Sequence, residues 1–91
     1  MPVKVRIPVP LRRVVGGVRE VYAQGDTVEA VIRNLDQEHP GFGERILREN
    51  GKLTRFVNIY INGEDIRFRE GIATRLEEDD ELSIVPAIAG G

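Results

Sequence analysis

The last two residues of the chain are Gly90 and Gly91. A carboxylate behind two residues without Cβ is a chemical handle of a particular kind. Glycine enters extended and left-handed conformations closed to other residues, so such an end can thread a narrow channel. Five steps carry the chain from Pro86 to Gly91, a reach of up to about 17 Å. That would place the Gly91 carboxylate inside another protein's active site while the folded body stays outside. A carboxylate is inert until activated. ATP can convert it to an acyl adenylate, and a sulfur nucleophile can then displace AMP and leave a thiocarboxylate. The competing reading is an ordinary frayed terminus. A Gly-Gly end arises by chance in roughly 0.5% of chains at a glycine frequency of about 7%, so the rest of the sequence must decide.

That remainder is poor in catalytic side chains. The 91 residues make one small domain, with 41% hydrophobic and 31% charged residues, an ordinary globular mix. The formal charge is −2, which argues against general nucleic-acid binding, since that rests on neutralising phosphates. There is no cysteine and one histidine, His39. Disulfides, thiolate nucleophiles and thiolate or His-pair metal sites are excluded, and most triads with them. No apolar stretch approaches the ~20 residues that span a bilayer, and Met1-Pro2-Val3-Lys4 lacks a signal-peptide core. The expectation is a cytoplasmic, non-enzymatic domain that binds no metal, nucleic acid or membrane.

The elements that would position the tail are legible from periodicity. Val3, Val5 and Ile7 alternate with Lys4 and Arg6, a half-buried strand closed by Pro8 and Pro10. Leu11 to Val15 joins it, through a Gly16-Gly17 turn, to a second strand at Glu20–Ala23 with Val21 and Ala23 facing inward. Asp26 as N-cap with Glu29 three residues on predicts a helix start, and Val28, Val31, Ile32 and Leu35 form its apolar face. His39-Pro40-Gly41 ends that helix, and Phe42 to Leu47 reads as a short second turn. Phe56 to Ile61 is the strongest strand, and Asn62-Gly63 a two-residue hairpin turn leading to a return strand at Ile66–Phe68. Leu82, Ile84 and Pro86 follow the acidic run Glu77–Glu81 as a last strand. The order is strand, strand, helix, strand, strand, strand. It predicts an α+β domain, residues 1–86, with a five-stranded mixed sheet, one main helix on one face, and first and last strands parallel at the centre. Residues 87–91 are then a flexible tail. The expected core is Val3, Val5, Ile7, Val21, Val28, Val31, Ile32, Leu35, Val57, Ile59, Ile61, Leu82 and Ile84.

Two segments carry a family resemblance. Phe56-Val57-Asn58-Ile59-Tyr60-Ile61-Asn62-Gly63-Glu64-Asp65-Ile66-Arg67 resembles the middle hairpin of the ubiquitin-like sulfur carriers of the MoaD/ThiS type. Leu76 to Gly91 resembles their C-terminal signature: a Leu, an acidic turn, an alternating strand ending in Pro, and a tail closing on Gly-Gly. Phe-Val-Asn-Ile-Tyr with the Ala-Gly-Gly end is especially similar to the carrier of protein-bound cysteine synthesis. One departure is visible: Asp79-Asp80 stands where the family turn usually carries Gly-Asp. Aspartate tolerates the left-handed region better than most residues, so the turn should survive. The resemblance implies a ubiquitin-like β-grasp fold and adenylation of Gly91 by an E1-like enzyme of the MoeB/ThiF type. ATP is used by that partner, and no cofactor is bound by this chain. Sulfur comes from a desulfurase or sulfurtransferase and passes to an acceptor biosynthetic enzyme, for cofactor, thiolated tRNA or cysteine synthesis. The chain ends at Gly91, so no trimming step is expected, and a free carrier should be monomeric.

Gly90, Ala89, Ile88 and Ala87 are the residues expected to approach and line a partner's groove. Phe56, Tyr60, Val85 and Arg6 are expected to share the outward sheet face as a docking surface, with burial of Phe56 under the Gly43–Leu53 loop as the alternative. The acidic run reads as a solvated turn or as a contact for a basic patch on the activating enzyme. His39 is expected to interact with the helix dipole, and Arg12-Arg13 and Arg67/Arg69 to aid solubility. Two rival functions remain. One is a protein modifier joined to lysines through Gly91, with Lys4 and Lys52 the only internal acceptors. The other is a β-grasp binding module whose terminus is idle.

Overall fold

Alternation along the strands sets the architecture. In a computed structural model that describes residues 2–49 and 51–87, β1 (Pro2–Arg6) and β2 (Glu20–Gln24) form an antiparallel pair, Val3 opposite Ala23 and Val5 opposite Val21. Helix α1 (Val28–Glu38) and a short α2 (Phe42–Ile46) follow, then β3 (Val57–Ile61), β4 (Glu64–Asp65) and β5 (Glu81–Pro86). The sheet order is β2-β1-β5-β3-β4. β5 runs parallel to β1 and antiparallel to β3. This is the five-stranded mixed β-grasp sheet expected from the sequence, with first and last strands paired at its centre.

Helix α1 lays Val28, Val31, Ile32 and Leu35, all fully buried, among Val3, Val5, Ile59, Ile61, Leu82 and Ile84. Its start differs from expectation. Thr27, not Asp26, is the N-cap, its Oγ1 accepting from the Ala30 N–H at 3.1 Å. The Asp26 carbonyl accepts instead from the Leu76 N–H, and Glu29 pairs with Arg33 one turn on at 2.8 Å. A threonine hydroxyl satisfies an orphan helix N–H as an aspartate carboxylate does, and Thr27 is in place because it bridges Arg75. The approach to the helix is tight. A Cβ on Gly25 would stand 2.7 Å from the Val31 backbone nitrogen.

The core is wider than the alternating residues alone. Leu11, Val15, Phe42, Ile46, Ile66 and Leu76 join it, while the expected Val21 is only partly buried against it. Leu11 and Val15 come from Val9–Val15, a 3₁₀ turn where the sequence reading has a plain connector. The expected return strand at Ile66–Phe68 is also a 3₁₀ turn. The Asp65 carboxylate accepts the Arg67 N–H at 2.8 Å and the Arg67 guanidinium at 2.6 Å. This local bonding turns the chain after two strand residues.

The hairpin turn is as expected, with Asn62 at φ 51° and Gly63 at φ 89°. The acidic turn survives as expected, but by a different conformation. Asn62 is the sole non-glycine residue at positive φ among the described residues, so Asp79 needs no left-handed conformation. Asp80 closes the turn, its carboxylate accepting from the Glu77 N–H and from Asn62 Nδ2, each at 2.8 Å. Asn62 Oδ1 in turn accepts the Glu81 N–H at 2.9 Å. Asp79 therefore replaces glycine without backbone strain. As a check on the enlarged core, Phe42→Ala should lower unfolding free energy by about 3–5 kcal/mol, as buried aromatic truncations do. Urea denaturation reads this directly.

Candidate functional site

The site to be built is the root of the tail. β5 is paired by β1 along Glu81–Ser83 and by β3 from Leu82 to Pro86, so its C-terminal end is held by β3. The ladder continues one residue past the strand, where the Ala87 N–H donates to the Phe56 carbonyl at 2.8 Å. Ala87 is half-buried. Ile88, Ala89, Gly90 and Gly91 lie outside the described residues.

Two hollows flank the chain that leaves β1, and the first adjoins that root. One, of about 460 Å³, is lined mainly by Pro8, Pro10, Leu11, Phe56, Val57 and Pro86, with Glu44 and Arg45 at its rim. Phe56 is 66% exposed. It is therefore not covered by the Gly43–Leu53 loop, and it stands at the end of the sheet, beside the departing chain. The second hollow, of about 270 Å³, is lined by Arg6, Ile7, Arg12, Arg19 and Glu20. Arg12 Nε donates to the Ile7 carbonyl at 3.0 Å, and the Ile7 N–H donates to the Arg19 carbonyl at 2.8 Å.

The outward face of the sheet brings three of the four docking candidates together. Register places Arg6 beside Ser83 and Ser83 beside Tyr60, with Val85 opposite Asn58. Val85 is exposed and Tyr60 half-buried. Arg6 is not a free cation: its Nε lies 2.6 Å from the Glu81 carboxylate and 3.9 Å from that of Glu20. Lys4 also pairs with Glu20, at 3.3 Å. The hydrogen bond and charge of Glu20 raise the Lys4 pKa above its ordinary value. His39 is the C-cap of α1, a structural position. Among the described residues no group of three His, Cys, Asp or Glu could hold a metal ion, and no helix is long and apolar enough to cross a membrane.

Comparison with known proteins decides the family. The family model described as "ThiS family" matches residues 5–91. The chain belongs to the ThiS family. Mycobacterium tuberculosis "Sulfur carrier protein CysO" is 48% identical over 93 residues, covering all of both chains. Its crystal structure superposes with a TM-score of 0.90 over 94% of this chain and 99% of that one. The Amycolatopsis orientalis BexX/CysO complex contains a chain 43% identical, with a TM-score of 0.90 over 98% of this chain and 99% of that one. The Haloferax volcanii "Small archaeal modifier protein 3" is 34% identical over 94 residues, again covering both chains fully. This ThiS-family chain thus has relatives of two names, carrier and modifier.

The sequence reading missed Pro8, Pro10 and Leu11 as neighbours of the tail root. Nothing in their local pattern marks them. The signal is topological: in a β-grasp sheet the chain leaving β1 must run beside the end of β5. One ion pair on the far side of Tyr60 has a measurable signature. Asp65, opposite Tyr60 in register, is buried and bonded to Arg67. The Arg67 side-chain hydrogen bond holds its carboxyl below the ordinary value, against the opposing effect of burial. A depressed carboxyl pKa adds stability that is complete above the unfolded value and lost as pH falls through the folded one. Melting temperature should therefore drop more steeply in wild type than in Asp65→Asn between about pH 4 and pH 2. Parallel slopes for the two proteins would contradict the assignment.

Proposed function

We propose that this chain is a sulfur carrier whose Gly91 carboxylate is the working group. Membership of the ThiS family and full-length similarity to proteins named sulfur carrier protein CysO are the observations that carry the reading. The body supplies recognition and the tail supplies reach. The carboxylate oxygen attacks the α-phosphate of ATP on an E1-like adenylating partner, pyrophosphate leaves, and an acyl adenylate forms. A persulfide on a desulfurase or sulfurtransferase attacks the carbonyl carbon and AMP leaves; a second thiol then cleaves the S–S bond of the acyl disulfide, releasing the thiocarboxylate and ending in a disulfide with the donor's cysteine. The thiocarboxylate then passes to an acceptor enzyme. Similarity to the CysO proteins favours cysteine synthesis as the destination.

In this reading Gly90 supplies the slim approach, and Ala89, Ile88 and Ala87 run along the partner's groove. Residues 1–86 are the folded body and 87–91 the tail. Phe56, Tyr60, Val85 and Arg6 belong to the surface that meets partners. Catalysis and nucleotide binding belong to those partners, and the setting is cytoplasmic. What the body contributes is a mount: a strand that β3 pairs up to Pro86, with one further hydrogen bond at Ala87, gives the tail a defined starting point.

Incubation with the adenylating enzyme, ATP and a sulfur donor, followed by intact mass spectrometry, tests this. The expected result is the mass gain of one oxygen exchanged for one sulfur, absent from a chain lacking Gly91. No gain in wild type, or an equal gain in the truncated chain, refutes the proposal.

A second reading is favoured by one observation, the 34% identity to a protein named small archaeal modifier protein 3. There the same acyl adenylate is captured by a lysine amine, giving an isopeptide bond. Cells expressing tagged chain would then show larger species that survive reducing agents and vanish when Gly91 is removed. A single band of free chain under all conditions would dismiss it.

A further inference from the structure

The turn between β3 and β4 solves a folding problem with a reactive pair of residues. Asn62 at φ 51° and Gly63 at φ 89° are both left-handed, as a two-residue hairpin requires, and asparagine followed by glycine meets that requirement best. The same dipeptide is open to attack from within. A glycine nitrogen has no Cβ beside it to hinder its approach to the preceding side-chain amide. The pair is also open from outside. A Cβ on Gly63 would meet nothing within 4 Å, and Asn62 is exposed, so water and base reach both residues.

What restrains the pair is its attachment to the start of β5. Asn62 Nδ2 donates to one Asp80 carboxylate oxygen at 2.8 Å, and Asn62 Oδ1 accepts the Glu81 N–H at 2.9 Å. The Asn62 N–H donates to the Glu81 carbonyl at 2.9 Å. The second Asp80 oxygen accepts the Glu77 N–H at 2.8 Å, so the acceptor is itself held in place. Both polar atoms of the Asn62 side chain are therefore engaged across the sheet. Ring closure requires Cγ to swing toward the Gly63 nitrogen, and that swing strains or breaks these two bonds.

We propose that Asn62 is a deamidation site whose rate is set by its attachment to Asp80 and Glu81. The Gly63 nitrogen attacks Cγ and gives its proton to solvent base. The side-chain nitrogen takes up a proton and leaves as ammonia, and a five-membered succinimide remains. Water then adds at one of its two carbonyl carbons, breaks that C–N bond, and yields aspartate or isoaspartate. Either product alters the turn. Aspartate places an oxygen where Nδ2 donated, so the donor to Asp80 is lost and two carboxylates face each other, an arrangement in which one is driven to hold a proton. Isoaspartate also lengthens the backbone by one methylene, which a two-residue turn cannot absorb while keeping Ile61 opposite Glu64. The outcome is release of the acidic turn from the β3–β4 hairpin. Asp80 acts as a positioning residue, and this chemistry is independent of the carboxylate at Gly91.

Ageing of the full chain in warm, mildly alkaline buffer, followed by peptide mapping with mass spectrometry, tests this. The signal is the small mass gain of an amide becoming an acid at Asn62, with isoaspartate separated from aspartate by enzymatic methylation. Asp80→Ala should deamidate at Asn62 roughly tenfold faster than wild type, the factor that a hydrogen bond to a charged acceptor adds to a barrier. The chain carries a second such pair, Asn50-Gly51, whose asparagine lies outside the described residues. It serves as an internal clock and should run at the same rate in both proteins. Where Asp80→Ala accelerates both asparagines alike, the fold as a whole has loosened, and Asp80→Asn then decides: it keeps an acceptor oxygen and should accelerate Asn62 alone, by less. Asn62→Asp, which carries the product's charge, should melt below wild type at neutral pH, with the gap narrowing near about pH 4, where one of the facing carboxyls takes up a proton. Equal Asn62 rates in wild type and a folded Asp80 variant, no mass gain at Asn62 in any chain, or an Asn62→Asp chain as stable as wild type at neutral pH overturns the proposal.

Discussion

The pairing of β5 with β1 is the constraint from which the rest of the structure follows. Two parallel neighbours cannot be joined by a tight turn, so the chain must leave β1, cross a face of the sheet and return. The β1–β2 hairpin and α1 make that crossing, and β3 and β4 close the other flank. The last strand is thereby placed in the middle of the sheet with a partner on each side. Leu82 and Ile84 are buried under α1. The chain beyond Pro86 departs from a central strand instead of from an edge.

Parallel pairing has a second consequence. It sends β1 and β5 toward the same end of the sheet, so the segment after β1 lies beside the root of the tail. Pro8, Pro10 and Leu11 become walls of a hollow shared with Pro86 and Phe56, and Arg12 and Arg19 are fastened to Ile7 close by. Proline suits this position because a chain that must stop pairing has no use for an N–H donor. The opposite end of β5 receives the acidic turn, where Asn62 and Asp80 bond across from the β3–β4 hairpin. Asn62 does double duty there, since its positive φ makes the hairpin turn and its side-chain oxygen accepts from Glu81.

Element order, the central parallel pair and twelve of the thirteen expected core residues were legible because each rests on a local period, two for strands and 3.6 for α1. Val21 failed because β2 is an edge strand, where inward-facing residues are covered on fewer sides. Phe42, Ile46 and Ile66 were not legible as core because their elements are one or two turns long, too short for any period to show. The Thr27 cap and the 3₁₀ turn at Ile66–Phe68 turn on which of two neighbouring polar side chains reaches a backbone N–H, a choice settled by tertiary bridges to Arg75 and by the Arg67 guanidinium. At the site, the tail motif could be read from residue types alone. The hollows beside it could not, because their walls are far apart in sequence and meet only through the sheet.

Such a division of labour suits a chain with no cysteine and a single histidine at a helix cap. In the carrier reading proposed above, the chemistry is done at a group the chain presents. Presentation makes two opposed demands. The presented end must be thin enough to enter a site built by another protein, and the point it starts from must not wander, or the entropy of ordering the approach would weaken docking. A terminus leaving an edge strand would meet the first demand and fail the second. Here the chain leaves a central strand that β3 pairs up to Pro86, with the Ala87–Phe56 hydrogen bond as the last tie among the described residues. The exposed Phe56 and the prolines Pro8, Pro10 and Pro86 stand around that tie, where the proposed carrier would be met by its partner.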